Sequence, residues 1–237
     1  MTTIVAIHGV GLDASMWSLV AADLAPSYEF VTYDLLGHGA RRDVIADLPA
    51  FVAQLSDVIG DRRVALVGFS LGALIAQAFA SEHGALVERL VLVNSVYRRS
   101  PDERAAVLAR VRSVRDGGYG ANVEEAMRRW FSAEFHTAHP DRVDAVRAVL
   151  DANDPVSYAA AYEVFATADA AVDVSRLPMP VLAATGELDP RSTPAMALAI
   201  AEAAPFGEVV IWSGVRHMSP IEAPCVVAAS ISAFLVD

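Results

Sequence analysis

The pentapeptide Gly68-Phe69-Ser70-Leu71-Gly72 follows the apolar run Val64-Ala65-Leu66-Val67 and precedes Ala73-Leu74-Ile75-Ala76-Gln77-Ala78-Phe79-Ala80. A short apolar run, a serine between two glycines and a long apolar stretch read as a strand turning sharply into a helix. Glycine is required at 68 and 72 because side chains there would meet the helix and the neighbouring strand. The serine has two readings. It can cap the helix as an ordinary turn residue. Alternatively it is held out as a nucleophile beside the helix N-terminus, where free N–H groups and positive dipole character collect. The strand before it and the helix after it favour the nucleophile.

The rest of the chain repeats this alternation. Strands are predicted at Thr3–Ile7, Glu29–Tyr33, Arg63–Val67, Arg89–Val93, Val181–Thr185 and Glu208–Trp212. Each is a short apolar run bounded by turn residues, as in strands covered on both faces. Helices are predicted at Trp17–Leu24, Leu48–Ile59, Leu71–His83, Pro194–Ala203 and Cys225–Leu235. Strand–helix alternation implies an α/β fold with a mainly parallel, about six-stranded sheet and right-handed crossovers. No strand signal precedes Thr3, so the sheet is expected to be parallel throughout. Between Val93 and Val181 the alternation stops and helices follow one another, at Asp102–Arg115, Val123–Phe131, Arg142–Leu150 and Pro155–Thr167. This divides the chain into a core, 1–94 with 177–237, and a helical cap, 95–176, inserted over the carboxyl edge of the sheet. Open α/β sheets bind ligands at that edge.

Composition narrows the function. The chain has 237 residues, 54% apolar and 20% charged, which is globular. No apolar run reaches the roughly 18 residues that span a bilayer. A strand beginning near Thr3 leaves no room for a secretion signal, so a cytoplasmic location is expected. The net charge of −11 argues against nucleic acid and anionic membranes as partners. All 18 basic residues are arginine, which with the heavy alanine content points to GC-rich coding. The single cysteine, Cys225, permits no internal disulfide and is expected to be a small buried apolar residue. No nucleotide or haem motif occurs, and the six histidines lack paired metal-ligand spacing. Neither a cofactor nor a metal is expected.

A serine nucleophile needs a base, a group to orient the base, and donors for the tetrahedral oxyanion. His217, in Ser213-Gly214-Val215-Arg216-His217-Met218, lies on a loop after the last strand and is the candidate base. His38, in Asp34-Leu35-Leu36-Gly37-His38-Gly39, competes but sits in a tight turn that its ring would brace. His8 is expected to hold the first loop by hydrogen bonding. The candidate orienter is Asp189, just past Val181–Thr185 and stiffened by Pro190, with Glu187 as the rival carboxylate. Backbone N–H groups of Leu71, directly after the nucleophile, and Val10, in His8-Gly9-Val10-Gly11, are the candidate oxyanion donors.

These residues together resemble the α/β-hydrolase superfamily over essentially the full length. The matching stretches are His8–Gly11, Asp34–Gly39, Gly68–Gly72, Gly186–Asp189 with Thr193-Pro194, and Gly214–Met218. The order Ser70, Asp189, His217 is the order of that superfamily. Within it the chain is similar to the 3-oxoadipate enol-lactonase group and its esterase relatives, through His8–Trp17, Arg129–Phe135 and Asp154–Ala160. Three departures stand out: the N-terminal antiparallel hairpin is expected to be absent, the stretch after His38 is short, and Arg216 precedes His217. The resemblance implies a serine hydrolase that cleaves a small carboxylic ester or lactone through an acyl-enzyme, as a monomer or homodimer. Carbon–carbon bond hydrolysis of a vinylogous diketone, perhydrolysis and a non-enzymatic ligand receptor are the alternatives. Trp130 is expected as a pocket wall. Arg128, Arg129 or Arg216 is expected to pair with a substrate carboxylate.

Overall fold

The computed structural model describes residues 1–236. Six strands, β1 (Thr3–Ile7), β2 (Glu29–Thr32), β3 (Val64–Phe69), β4 (Val87–Val93), β5 (Val181–Gly186) and β6 (Gly207–Trp212), form one sheet in the order β2-β1-β3-β4-β5-β6. Every pairing is parallel, with Ile4 beside Ala65, Leu66 beside Leu90, Val91 beside Leu182 and Ala183 beside Val209. The residues of β1 and β3 are buried throughout, so helices cover both faces of the sheet centre. Those helices are α1 (Ser18–Leu24), α2 (Leu48–Ile59), α3 (Leu71–Glu82), and, after β5, α9, α10 and α11 (Pro194–Ala203, Ser219–Glu222, Pro224–Val236).

Between β4 and β5 the chain makes only helices: α4 (Pro101–Ser113), α5 (Tyr119–Trp130), α6 (Ala133–Ala138), α7 (Pro140–Asp151) and α8 (Pro155–Thr167). Local chemistry sets their starts. Ser100 and Glu103 form a reciprocal capping box on α4, with Pro101 in the first turn. Asp154 accepts from Ser157 N and caps α8. The Gly117-Gly118 pair breaks the run between α4 and α5, with Gly117 at φ +89° inside a π-type turn. The sequence reading omits α6, whose six residues are too few to display a period; Ser132 caps it by accepting from Phe135 N.

Buried ionic contacts hold this helical segment to the chain that leaves β4. Arg99 and Asp169 pair at 2.9 Å with almost no exposed side-chain surface, and Arg104 adds a second cation on Asp169 at 3.0 Å. One expectation fails. Cys225 is exposed, because α11 turns Val227, Ala228, Ile231 and Phe234 inward and leaves the first-turn cysteine on the opposite side. No helix among the described residues is long and apolar enough to cross a membrane.

Candidate active site

Ser70 is the joint between β3 and α3. Its φ is +54° and its ψ −111°, and its N–H donates to Val93 O at 3.0 Å, which ties the turn to β4. Space requires the flanking glycines. A Cβ at Gly72 would lie 2.4 Å from Ile7 O, and one at Gly68 would lie 2.4 Å from Gly72 O. Although Ser70 occupies the N-cap of α3, its side chain makes no capping hydrogen bond. A capping serine would spend its hydroxyl on the helix; this one keeps it free.

His217 and Asp189 meet at the ends of β6 and β5. The imidazole Nδ1 donates to Asp189 Oδ2 at 2.6 Å, so Nε2 is the nitrogen left to accept a proton. Phe69 and Trp130 flank the ring, with centroids 5.0 and 6.0 Å away. Asp189 is buried, and its second oxygen accepts from the N–H groups of Arg191 (2.9 Å) and Ser192 (3.0 Å). Burial works to raise the Asp189 carboxyl. The adjacent His217 and the donated hydrogen bonds outweigh it and hold the group below the ordinary carboxylate range. Glu187 is elsewhere, exposed and bonded to Ser213 Oγ (2.7 Å) and Gly214 N (2.9 Å).

Sequence reasoning missed Asn94. Its amide donates to Asp189 Oδ2 at 2.8 Å and to Thr185 Oγ1 at 3.0 Å, while its Oδ1 accepts from Ser219 Oγ. The buried network thus continues past Asp189 to the ends of β4 and β5. The available signal was an asparagine directly after an apolar strand, where it takes φ +48°, a conformation asparagine tolerates best after glycine.

The first loop is held by histidine, as expected. His8 Nδ1 donates to Gly9 O (2.8 Å), and Nε2 accepts from Leu35 N (2.9 Å). These two bonds fix the neutral tautomer, and complete burial lowers the pKa of His8 to about 4. His38 packs edge-on against it at 5.1 Å and donates to Leu36 O. Gly11, at φ +76°, lets Leu150 and Tyr158 press on this loop.

Ser70, Asp189, His217 and Val10 line one cavity of about 60 Å³, roofed by the α4, α5 and α8 helices. Leu71 is buried at the first turn of α3, beside Ser70. Of the sequence-predicted pocket residues, Trp130 and Arg129 line this cavity. Arg128 and Arg216 do not. Arg128 is exposed, and Arg216 reaches back to the Arg128 carbonyl at 3.4 Å, outside the cavity. Adjacent helical residues point about 100° apart, so α5 can aim only one of Arg128 and Arg129 at the cavity.

The sequence pattern of the alpha/beta hydrolase family matches residues 4–230. The chain belongs to that family. It is similar to an (E)-2-((N-methylformamido)methylene)succinate hydrolase from Acinetobacter baylyi, 31% identical over 98% of this chain and 89% of that protein. Among solved structures, it superposes on an enol-lactonase from Burkholderia xenovorans with a TM-score of 0.89, 26% identical over 100% of this chain and 92% of that one. A malate-bound thermophilic esterase from Thermogutta terrifontis gives 0.88 and 25% identity, covering 99% of this hydrolase and 89% of the esterase.

Proposed function

We propose that this hydrolase cleaves small carboxylic esters or lactones through an acyl-enzyme on Ser70. The observation that carries the reading is the 2.6 Å His217–Asp189 bond in the cavity that Ser70 lines with an uncommitted hydroxyl. Ser70 Oγ attacks the acyl carbon while His217 Nε2 takes its proton. Asp189 keeps Nδ1 protonated and stabilises the imidazolium. The tetrahedral oxyanion forms against the N–H groups of Val10 and Leu71, each donor worth about 3 kcal/mol in the transition state. His217 then protonates the leaving alkoxide. Water, deprotonated by the same imidazole, releases the acid and restores Ser70. The helices from 95 to 176 act as a cap that excludes water and limits substrate length. The small cavity suits a compact acyl group.

The likeness to an enol-lactonase and an esterase supports this bond class. The relative named for an N-methylformamido-methylenesuccinate gives hydrolysis at an amide-bearing substrate as the second reading. The test is burst release of nitrophenol from an activated acetate ester. Wild type is expected to give one equivalent of burst per active site. Ser70→Ala and His217→Ala are expected to lower kcat by on the order of 10⁴ to 10⁶ with the fold intact. Asp189→Asn should cost less than either, and Glu187→Gln almost nothing. Undiminished turnover in Ser70→Ala would remove the acyl-enzyme reading.

A further inference from the structure

The cavity wall is rich in arginine, and the charges around it do not balance evenly. Asp189 is committed to His217, and Glu103 accepts from Ser100 N at 2.7 Å in the capping box. Arg99 is paired with Asp169 and Arg129 with Glu125 at 3.3 Å. Arg191 is exposed. Arg110 differs from all of these. It is half-buried in the wall, on the α4 face that also brings Glu103 and Val107 to the cavity, and it forms no ion pair with any described residue. Among the described residues its one hydrogen-bond partner is the buried Tyr162 hydroxyl, which accepts from Nε at 2.9 Å. That bond orients the guanidinium and leaves both terminal nitrogens without a partner among the described residues. A planar fork held at one edge, with no carboxylate of the described residues close enough to pair with it, is built to meet a carboxylate from outside the protein.

We propose that Arg110, aimed by Tyr162, binds an acid group of the substrate while the acyl carbon lies at Ser70. The preferred substrates are then short esters or lactones that carry a second, ionised carboxyl. The proposal rests on the Ser70 hydrolase reading. It adds a residue that works through binding and takes no part in proton transfer. Tyr162 is its positioning residue.

The probe is monomethyl succinate set against methyl 4-methylpentanoate, in which an isopropyl group replaces the carboxylate at nearly equal size. Acid release is followed at constant pH. The succinate ester is expected to show the higher kcat/KM in wild type, by 10-fold or more. Arg110→Met should remove on the order of 10²-fold of that value, mostly through KM, and leave the neutral ester within about 3-fold. Tyr162→Phe should raise KM for the acid ester by about 10-fold with kcat unchanged, an effect a general loosening of the cap would not confine to one substrate. Succinate should raise the thermal midpoint of wild type and not of Arg110→Met. If Arg110→Met does not fold, Arg110→Gln removes the charge while keeping a donor for Tyr162, with the same expectations. Equal losses on both esters, or no preference for the acid ester, would overturn the assignment while Ser70-dependent turnover of the neutral ester upheld the hydrolase reading. Turnover of the neutral ester that survives Ser70→Ala would instead bring down the hydrolase reading.

Discussion

Ser70 sits where a residue with a Cβ is strained by about 1–3 kcal/mol. Glycine escapes that strain but loses more backbone entropy on folding, by about 0.5–1 kcal/mol. The difference gives a test. Ser70→Gly is expected to be more stable than Ser70→Ala by about 1 kcal/mol in urea unfolding, with both variants inactive. Asn94 supplies a second. Asn94→Gly keeps the positive φ and loses the amide, whereas Asn94→Asp sets a carboxylate against Asp189. The aspartate variant is expected to lose more kcat than the glycine variant, by 10-fold or more. At this scale, the strand-end placement of the candidates Ser70, Asp189 and His217 and the loop-holding bonds of His8 could be read from the chain. Asn94 could not, because its role depends on β4 and β5 being neighbours. Arg110 could not, because nothing local says which way α4 faces.

Two elements make their own demands on pH and packing. The loop after β1 and the turn after β2 are locked by His8 and His38, both buried neutral, with pKa values lowered by burial to about 4 and about 3. In the unfolded chain each binds a proton below its ordinary value of about 6.5, while the folded protein refuses it. The stability they allow is therefore complete above pH 6.5 and is lost as pH falls from there toward 4 and then 3. His8 alone is expected to cost about 3 kcal/mol over its window. Unfolding free energies measured between pH 7 and 4 should fall steeply, and His38→Asn should flatten the slope. The Arg99–Asp169 pair makes a separate demand. Asp169→Ala strands a buried guanidinium and is expected to cost about 3–5 kcal/mol, which replacing both partners with apolar residues should largely restore. Elements with strong caps and full periods, such as α2, α8 and α9, could be placed from the sequence to the residue. Cys225 was misjudged for a related reason. α11 is apolar nearly all round, so composition alone does not say which face packs.

At the scale of the whole molecule, the described residues form one parallel sheet whose edge strands, β2 and β6, are each paired on one side. The β6 edge exposes Val209 and Ile211. Exposed apolar strand edges invite pairing with other chains during folding. Ile211→Lys is therefore expected to change native stability by less than about 0.5 kcal/mol while lowering light scattering during refolding. Strand order itself was legible only as a class of sheet, since alternation implies parallel pairing but not which strands become neighbours. The place where the helical segment leaves and rejoins the sheet has an evolutionary corollary. The segment departs after β4 and returns at β5, which lie side by side, so it contributes no strand and its length leaves the register untouched. Asn94 stands at the departure and Asp189 lies just past the returning strand, stapled together at 2.8 Å. Exchanging the helices between β4 and β5 would therefore leave the sheet's register alone, but a replacement must still meet the first loop where Asn153 donates to Gly11 O and the last loop where Met218 N donates to Trp130 O.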